Sequence, residues 1–127
     1  MSANFIEHVN LTVRDPHQTA AAMIDIFGWH IRWEGPAMAD GYSLHVGNQD
    51  CYLALYRSAD ADYPADMFQK GRPLNHVAIV VDDLAAVEAK VAAAGLKPFN
   101  HMNYNPGGRA FYFYDRDGIE FEVVSYP

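Results

Sequence analysis

The stretch EHVNLTVRD at residues 7–15 returns as NHVAIVVDD at residues 75–83, 68 positions further on. In a chain of 127 residues, a repeat of this period leaves little architectural freedom. Each copy is one supersecondary unit, and both must be built alike. Each alternates with the period of two that a strand requires, through Val9, Leu11 and Val13 in the first and Val77, Ile79 and Val81 in the second. Each then enters a helical pattern that stops at glycine. The first helix has Asp15 as N-cap, Pro16 at its first position, Gln18 where a capping-box partner belongs, and a stop at Gly28. Its apolar stripe reads Ala20, Met23, Ile24 and Phe27. The second starts near Asp83, turns Leu84, Val87 and Val91 inward, and stops at Gly95. A short strand follows each glycine, WHIRWE at 29–34 and KPFNH at 97–101. Two strand pairs complete the copies, YSLHVG with CYLALYR across the turn GNQD, and RAFYFYD with IEFEVVS across DRDG.

The expected fold class is therefore α+β, one domain over 1–127 made of two βαβββ modules. Module 1 covers about 5–57 and module 2 about 74–126, joined by a linker at 58–73 that reads as a mobile segment or lid. A module of this size cannot cover both faces of its own sheet. Its helix shields one face, so the other faces of the two modules are expected to form a curved mixed sheet around a central cavity for a metal or ligand.

Composition narrows the partners. Nine basic residues against 16 acidic ones give a formal net charge of −7. That balance argues against nucleic acid and against an anionic membrane surface, both of which demand positive charge. No apolar run approaches the ~20 residues of a membrane span, and the N-terminus lacks a basic segment followed by an apolar one. A cytoplasmic location is the expectation. The single cysteine, Cys51, excludes an intramolecular disulfide and reads as a small packing residue.

Alternation also sorts the remaining side chains by face. With the apolar positions assigned to the helices, the opposite face collects His8, Asn10 and Thr12, then Ser43 and His45, then Tyr52, Ala54 and Tyr56. The second module contributes His76, Ala78 and Val80, then Ala110, Tyr112 and Tyr114, then Glu120 and Glu122. Solvent alone does not select such a set. Two imidazoles at equivalent positions of a repeat, with a carboxylate on the same face, make a three-donor set that leaves metal positions open for a substrate. His17, His30 and His101 read as surface residues.

In HVNLTV at 8–13, NHVAIVV at 75–81 and DRDGIEFEV at 115–123, the chain resembles the vicinal oxygen chelate superfamily of glyoxalases, bleomycin-binding proteins, extradiol dioxygenases and fosfomycin-resistance proteins. The likeness spans both modules. The last motif is similar to the family's Asp-Pro-Asp-Gly-x-x-x-Glu hairpin, with Arg116 in place of proline. The resemblance implies a metal held by His8, His76 and Glu122, and it places Glu120 at the cavity rim or in solvent. The divalent ion it implies is Fe2+ first, with Mn2+, Zn2+ or Ni2+ as alternatives. The carboxylate that glyoxalases place as fourth ligand falls at Ala54, which counts against a glyoxalase mechanism and leaves His45 as the nearest acid or base. Tyr112 takes the place of a cavity tyrosine of the fosfomycin-resistance enzymes, while Ala110, Pro106 and Met102 stand where their serines and lysine would be, which argues against fosfomycin.

Three function readings result from the resemblance. The first is a metal-dependent enzyme, most like extradiol dioxygenases, acting on a small molecule chelated through neighbouring oxygens. The second is a glyoxalase-type lyase or isomerase with a different base, and the third a metal-free binding protein of the bleomycin-resistance kind. Asn10, Tyr52, Ala54, Tyr56 and Ala110 are the expected substrate-pocket residues. His45 and Tyr112 are the catalytic candidates, and a homodimer is the expected assembly.

Overall fold

The computed structural model describes residues 4–60 and 62–127. It divides into two compact units, Met1–Tyr63 and Pro64–Pro127, so the linker is shared between them. The first contains β1 (His8–Thr12), α1 (Pro16–Phe27), β2 (His30–Pro36), a one-turn 3-10 segment (Met38–Asp40), β3 (Tyr42–Gly47) and β4 (Tyr52–Arg57). The second contains β5 (Val77–Val80), α2 (Leu84–Ala93), β6 (Phe99–Tyr104), β7 (Gly108–Tyr114) and β8 (Glu120–Ser125). Each unit is a βαβββ module with its own mixed four-stranded sheet, ordered β1-β4-β3-β2 in one and β5-β8-β7-β6 in the other. The first strand of each runs parallel to the last, and the remaining pairs are antiparallel. The repeat in the sequence is thus a repeat of topology.

The elements form for local reasons. The Asp15 carboxylate accepts from the backbone N–H groups of His17 and Gln18, capping α1, and Gly28 ends it in the left-handed conformation at φ 70°. Asp83 caps α2 through the N–H of Ala86. α1 packs on β3 and β4, and α2 on β7 and β8. The first core is built from Leu11, Val13, Met23, Ile26, Leu44, Val46 and Leu55, and the second from Val91, Phe111, Phe113, Phe121 and Val123. Each such side chain contributes roughly 1.5–3 kcal/mol by leaving water.

Three details depart from expectation. The buried stripe of α1 is Pro16, Thr19, Ala20, Met23 and Ile26, with Ile24 and Phe27 only half-buried. Its face is turned toward the residues at i, i+3, i+4, i+7 and i+10 from the proline. In α2, Val87 is half-buried. β6 runs to Tyr104 instead of stopping at 101, because a register shift between Phe99 and Met102, with Asn100 at φ 54°, breaks the alternation and the strand then resumes.

Candidate metal centre

The DRDG hairpin fixes what β8 presents. Asp115 Oδ1 accepts from the N–H groups of Asp117 and Ile119, at 2.9 Å each, and Gly118 takes φ 84°. The turn sets the register, so Tyr114 lies opposite Glu120 and Tyr112 opposite Glu122. On the other side of β8, Val77 pairs with Phe121 and Ala78 with Glu122. His76 immediately precedes β5 and reaches across to β8.

There His76 Nε2 lies 2.9 Å from Glu122 Oε1, while Nδ1 lies 2.8 Å from Asn75 Oδ1. Glu122 is 7 % exposed. Its second oxygen, Oε2, accepts from the Tyr104 hydroxyl at 2.8 Å, and that hydroxyl is 3.2 Å from the hydroxyl of Tyr112. Tyr112 also meets the His76 ring edge-on, at 5.5 Å between centroids. Bonding to Tyr112 and to Glu122 raises the Tyr104 hydroxyl well above the usual phenol range, so it stays a donor.

Glu120 corrects the expectation of a rim or solvent position. It is 1 % exposed, and its Oε2 is 2.5 Å from Lys70 Nζ and 3.9 Å from His76 Nδ1. A cation from the linker explains why this carboxylate can be buried: paired, the charge loses water but keeps a partner. The same carboxylate holds the Tyr114 hydroxyl above its ordinary range.

The first unit has its own cluster. His8 begins β1, with Nδ1 3.0 Å from Glu7 Oε1, and its ring stacks on Tyr52 at 4.8 Å. Tyr52 stacks in turn on His45 at 4.5 Å, His45 meets Trp33 at 5.2 Å, and the Arg32 guanidinium lies 4.4 Å from the centre of the Tyr52 ring. Burial first, and then the neighbouring His8 and Arg32, lower the His45 imidazole below its usual range. Ala54 is buried and pairs across the sheet with both His45 and Asn10. Asn10 itself is exposed. Tyr56 is tied down, its hydroxyl donating to the carbonyl of Met38 at 3.0 Å. Ala110, in the second unit, lines a groove of about 290 Å³ with Leu84, Glu88 and His101.

The second unit thus brings together His76, Glu122 and Tyr112, and the first brings together His8, Tyr52 and His45. Among the described residues, no group of three or more His, Cys, Asp or Glu side chains is gathered closely enough to hold an ion. Sequence reasoning missed Tyr104, Lys70, Asn75 and Glu7. The signal for the last two was present, since each directly precedes a histidine of the repeat.

The model of the Glyoxalase/Bleomycin resistance protein/Dioxygenase superfamily matches residues 5–123, nearly the whole of both modules. The chain belongs to that superfamily. Solved members share the fold. The glyoxylase/bleomycin resistance protein/dioxygenase domain from Frankia sp. EAN1pec is 24% identical, with a TM-score of 0.83 over 99% of this chain and 100% of that one. A glyoxalase family protein from Enterococcus faecalis is 20% identical, with a TM-score of 0.75 over 94% and 96% of the two chains. The fosfomycin resistance protein FosX from Listeria monocytogenes, complexed with Mn(II) and sulfate, is 18% identical, with a TM-score of 0.73 over 100% and 95%. At these identities the likeness speaks for the fold alone. No curated protein matches the chain significantly. Among the described residues, no helix is long and apolar enough to cross a membrane.

Proposed function

We propose that this superfamily member is a metal-dependent enzyme in which His8, His76 and Glu122 hold one divalent ion. Its substrate is a small molecule that binds through two neighbouring oxygens. The pairing of His76 with the buried Glu122 carries the reading. Nδ1 of His76 meets Asn75, and Nε2 lies 2.9 Å from Oε1 of Glu122, an arrangement that either a proton or a metal cation between the two atoms would hold. Their 2.9 Å separation suits neighbouring donors on one ion, which stand roughly 3 Å apart when each bond is about 2.1 Å. His8 completes the set on the strength of the repeat and of the resemblance, and not from a contact with the pair. The FosX complex holds Mn(II), which supports a divalent ion here. Two imidazoles and one carboxylate suit Fe(II) first, then Mn(II), with Zn(II) or Ni(II) as further candidates.

When bound, such an ion supplies Lewis acidity or, as Fe(II), redox chemistry. The chain's own residues do the rest. His45, whose imidazole burial holds below the usual range, is the proposed acid or base. Tyr112 and the always-protonated Tyr104 offer hydroxyls beside Glu122. Asn10, Tyr52, Ala54, Tyr56 and Ala110 are the proposed pocket residues. Three ligands with open positions favour a dioxygenase of the extradiol kind. A lyase or isomerase is the alternative, with His45 serving in place of the carboxylate absent at Ala54.

A second reading has its own support. Stacked rings of His8, Tyr52 and His45 under the Arg32 cation would suit a protein that sequesters a planar ligand without a metal. Elemental analysis of protein purified without chelator or nickel resin separates the two. One equivalent of a divalent ion in the wild type, lost in His8→Ala, His76→Ala and Glu122→Ala chains that still fold, is the expected result. Full occupancy in any of these variants, or none in the wild type, overturns the metal reading.

A further inference from the structure

Each proposed ligand is held at the atom that it does not offer to an ion. His76 is held at Nδ1 by Asn75 Oδ1 at 2.8 Å, and His8 at Nδ1 by Glu7 Oε1 at 3.0 Å. Glu122 is held at Oε2 by the Tyr104 hydroxyl at 2.8 Å. Glu7 and Asn75 are separated by the same 68 positions as the two histidines, so both modules use one device: the residue before the histidine accepts its Nδ1 proton. From this geometry we infer that Glu7, Asn75 and Tyr104 are positioning residues, which leave Nε2 of each histidine and Oε1 of Glu122 as the atoms presented to an ion. The inference rests on the metal reading above and goes beyond it, since none of the three touches the ion.

The physical argument is the same at each site. A neutral imidazole has one N–H and one lone pair, and an acceptor at Nδ1 selects the tautomer whose lone pair is at Nε2. It also fixes the ring plane and makes the free nitrogen a better donor. A buried carboxylate whose Oε2 already accepts a hydrogen bond has Oε1 as its less occupied oxygen, so Tyr104 favours one-oxygen coordination by Glu122. The three contributions differ in weight. Tyr104 serves a carboxylate that is 7 % exposed, where an unpaired oxygen is expensive. Glu7 is 56 % exposed in its side chain, where solvent weakens the bond. Asn75 is exposed as well, so Tyr104 should matter most, and Asn75 and Glu7 less.

Mn2+ titration of the full chain, followed by electron paramagnetic resonance of the free ion, tests this directly. Tyr104→Phe should weaken Mn2+ binding by about 10–100-fold, and Asn75→Leu and Glu7→Leu by less, though measurably. Asn75→Asp and Glu7→Gln keep an acceptor oxygen and should restore affinity to within about threefold of the wild type, where a merely structural role predicts no such rescue. In the Zn2+-loaded wild type, nitrogen-15 spectra of the imidazoles should show both rings bound through Nε2 with a protonated Nδ1. Unchanged Mn2+ affinity in Asn75→Leu and Tyr104→Phe, or coordination through Nδ1, overturns the inference. The two levels of failure are distinct. If the wild type takes up no Mn2+, the metal reading fails and this inference with it. If the wild type binds and His76→Ala does not, while Asn75→Leu and Tyr104→Phe bind normally, only the positioning roles fail.

Discussion

Asp115 shows how a single side chain can be needed for the fold and still oppose it. Its Oδ1 ties the hairpin that sets the β8 register, through the N–H groups of Asp117 and Ile119. Burial, and then the negative charge of Asp117, push its carboxyl up from 3.8 to about 6, against the opposing pull of the turn's N–H groups. The folded state therefore holds this proton more tightly than the unfolded chain does. Stability from this group is fully present below pH 4 and is lost as the pH rises toward and through 6. A shift of this size corresponds to about 2–3 kcal/mol above pH 6. Asp115→Asn keeps the acceptor and removes the charge. Urea unfolding at pH 4 and pH 7.5 should show the variant gaining about 2 kcal/mol over the wild type at the higher pH and almost nothing at the lower one. Equal differences at the two pH values would refute the assignment. The turn itself was legible in the sequence from Asp115 and Gly118. The burial of its carboxylate was not, because exposure depends on what the folded chain lays over it.

At the scale of the element, the repeat was readable and its irregular parts were not. Caps, helix stops and the strand pairs followed from residues such as Asp15, Gly28 and Asp83, each acting locally. β6 did not, since the register shift at Asn100 scrambles a pattern that strand recognition depends on. That loss hid Tyr104, whose place opposite Gly108 was implied by the turn residues Asn105, Pro106 and Gly107 between them. Glu120 was misplaced for another reason. Its partner, Lys70, comes from the linker, 50 residues earlier, and no period of strand or helix reports such a pairing. The ion pair makes the segment before β5 a strap over the second module. Lys70→Met should leave the buried Glu120 carboxylate without its cation and destabilise the protein, less than for a fully buried pair because Lys70 is 44% exposed in its side chain. Adding Glu120→Gln should recover a good part of that loss. If the double variant is as unstable as the sum of the two single ones in urea titrations, the strap carries no coupling.

For the whole molecule, the open question is what covers the sheet edges. Each four-stranded sheet ends in the first strand of its module, β1 or β5, and among the described residues neither has a partner within its own sheet on its outer side. An unpaired edge offers a row of N–H and C=O groups to any other strand, and proteins generally cover such rows. Two modules of equal build can do this within one chain or by exchange between two chains, and a symmetric dimer uses the same surface twice. We expect a homodimer of about 28 kDa, twice the 14.2 kDa chain. Light scattering at micromolar concentration should find it, and a monomer there would refute it. The proposed ligands make the arrangement itself measurable, because His8 belongs to one unit while His76 and Glu122 belong to the other. His8→Ala and Glu122→Ala chains should each bind no ion. Unfolded together and refolded as mixed dimers, they regain one intact set of ligands only if each site draws its modules from two chains. Half of the wild-type Mn2+ stoichiometry in the purified heterodimer would mean exchange of modules. No recovery would place all three ligands of a site within a single chain.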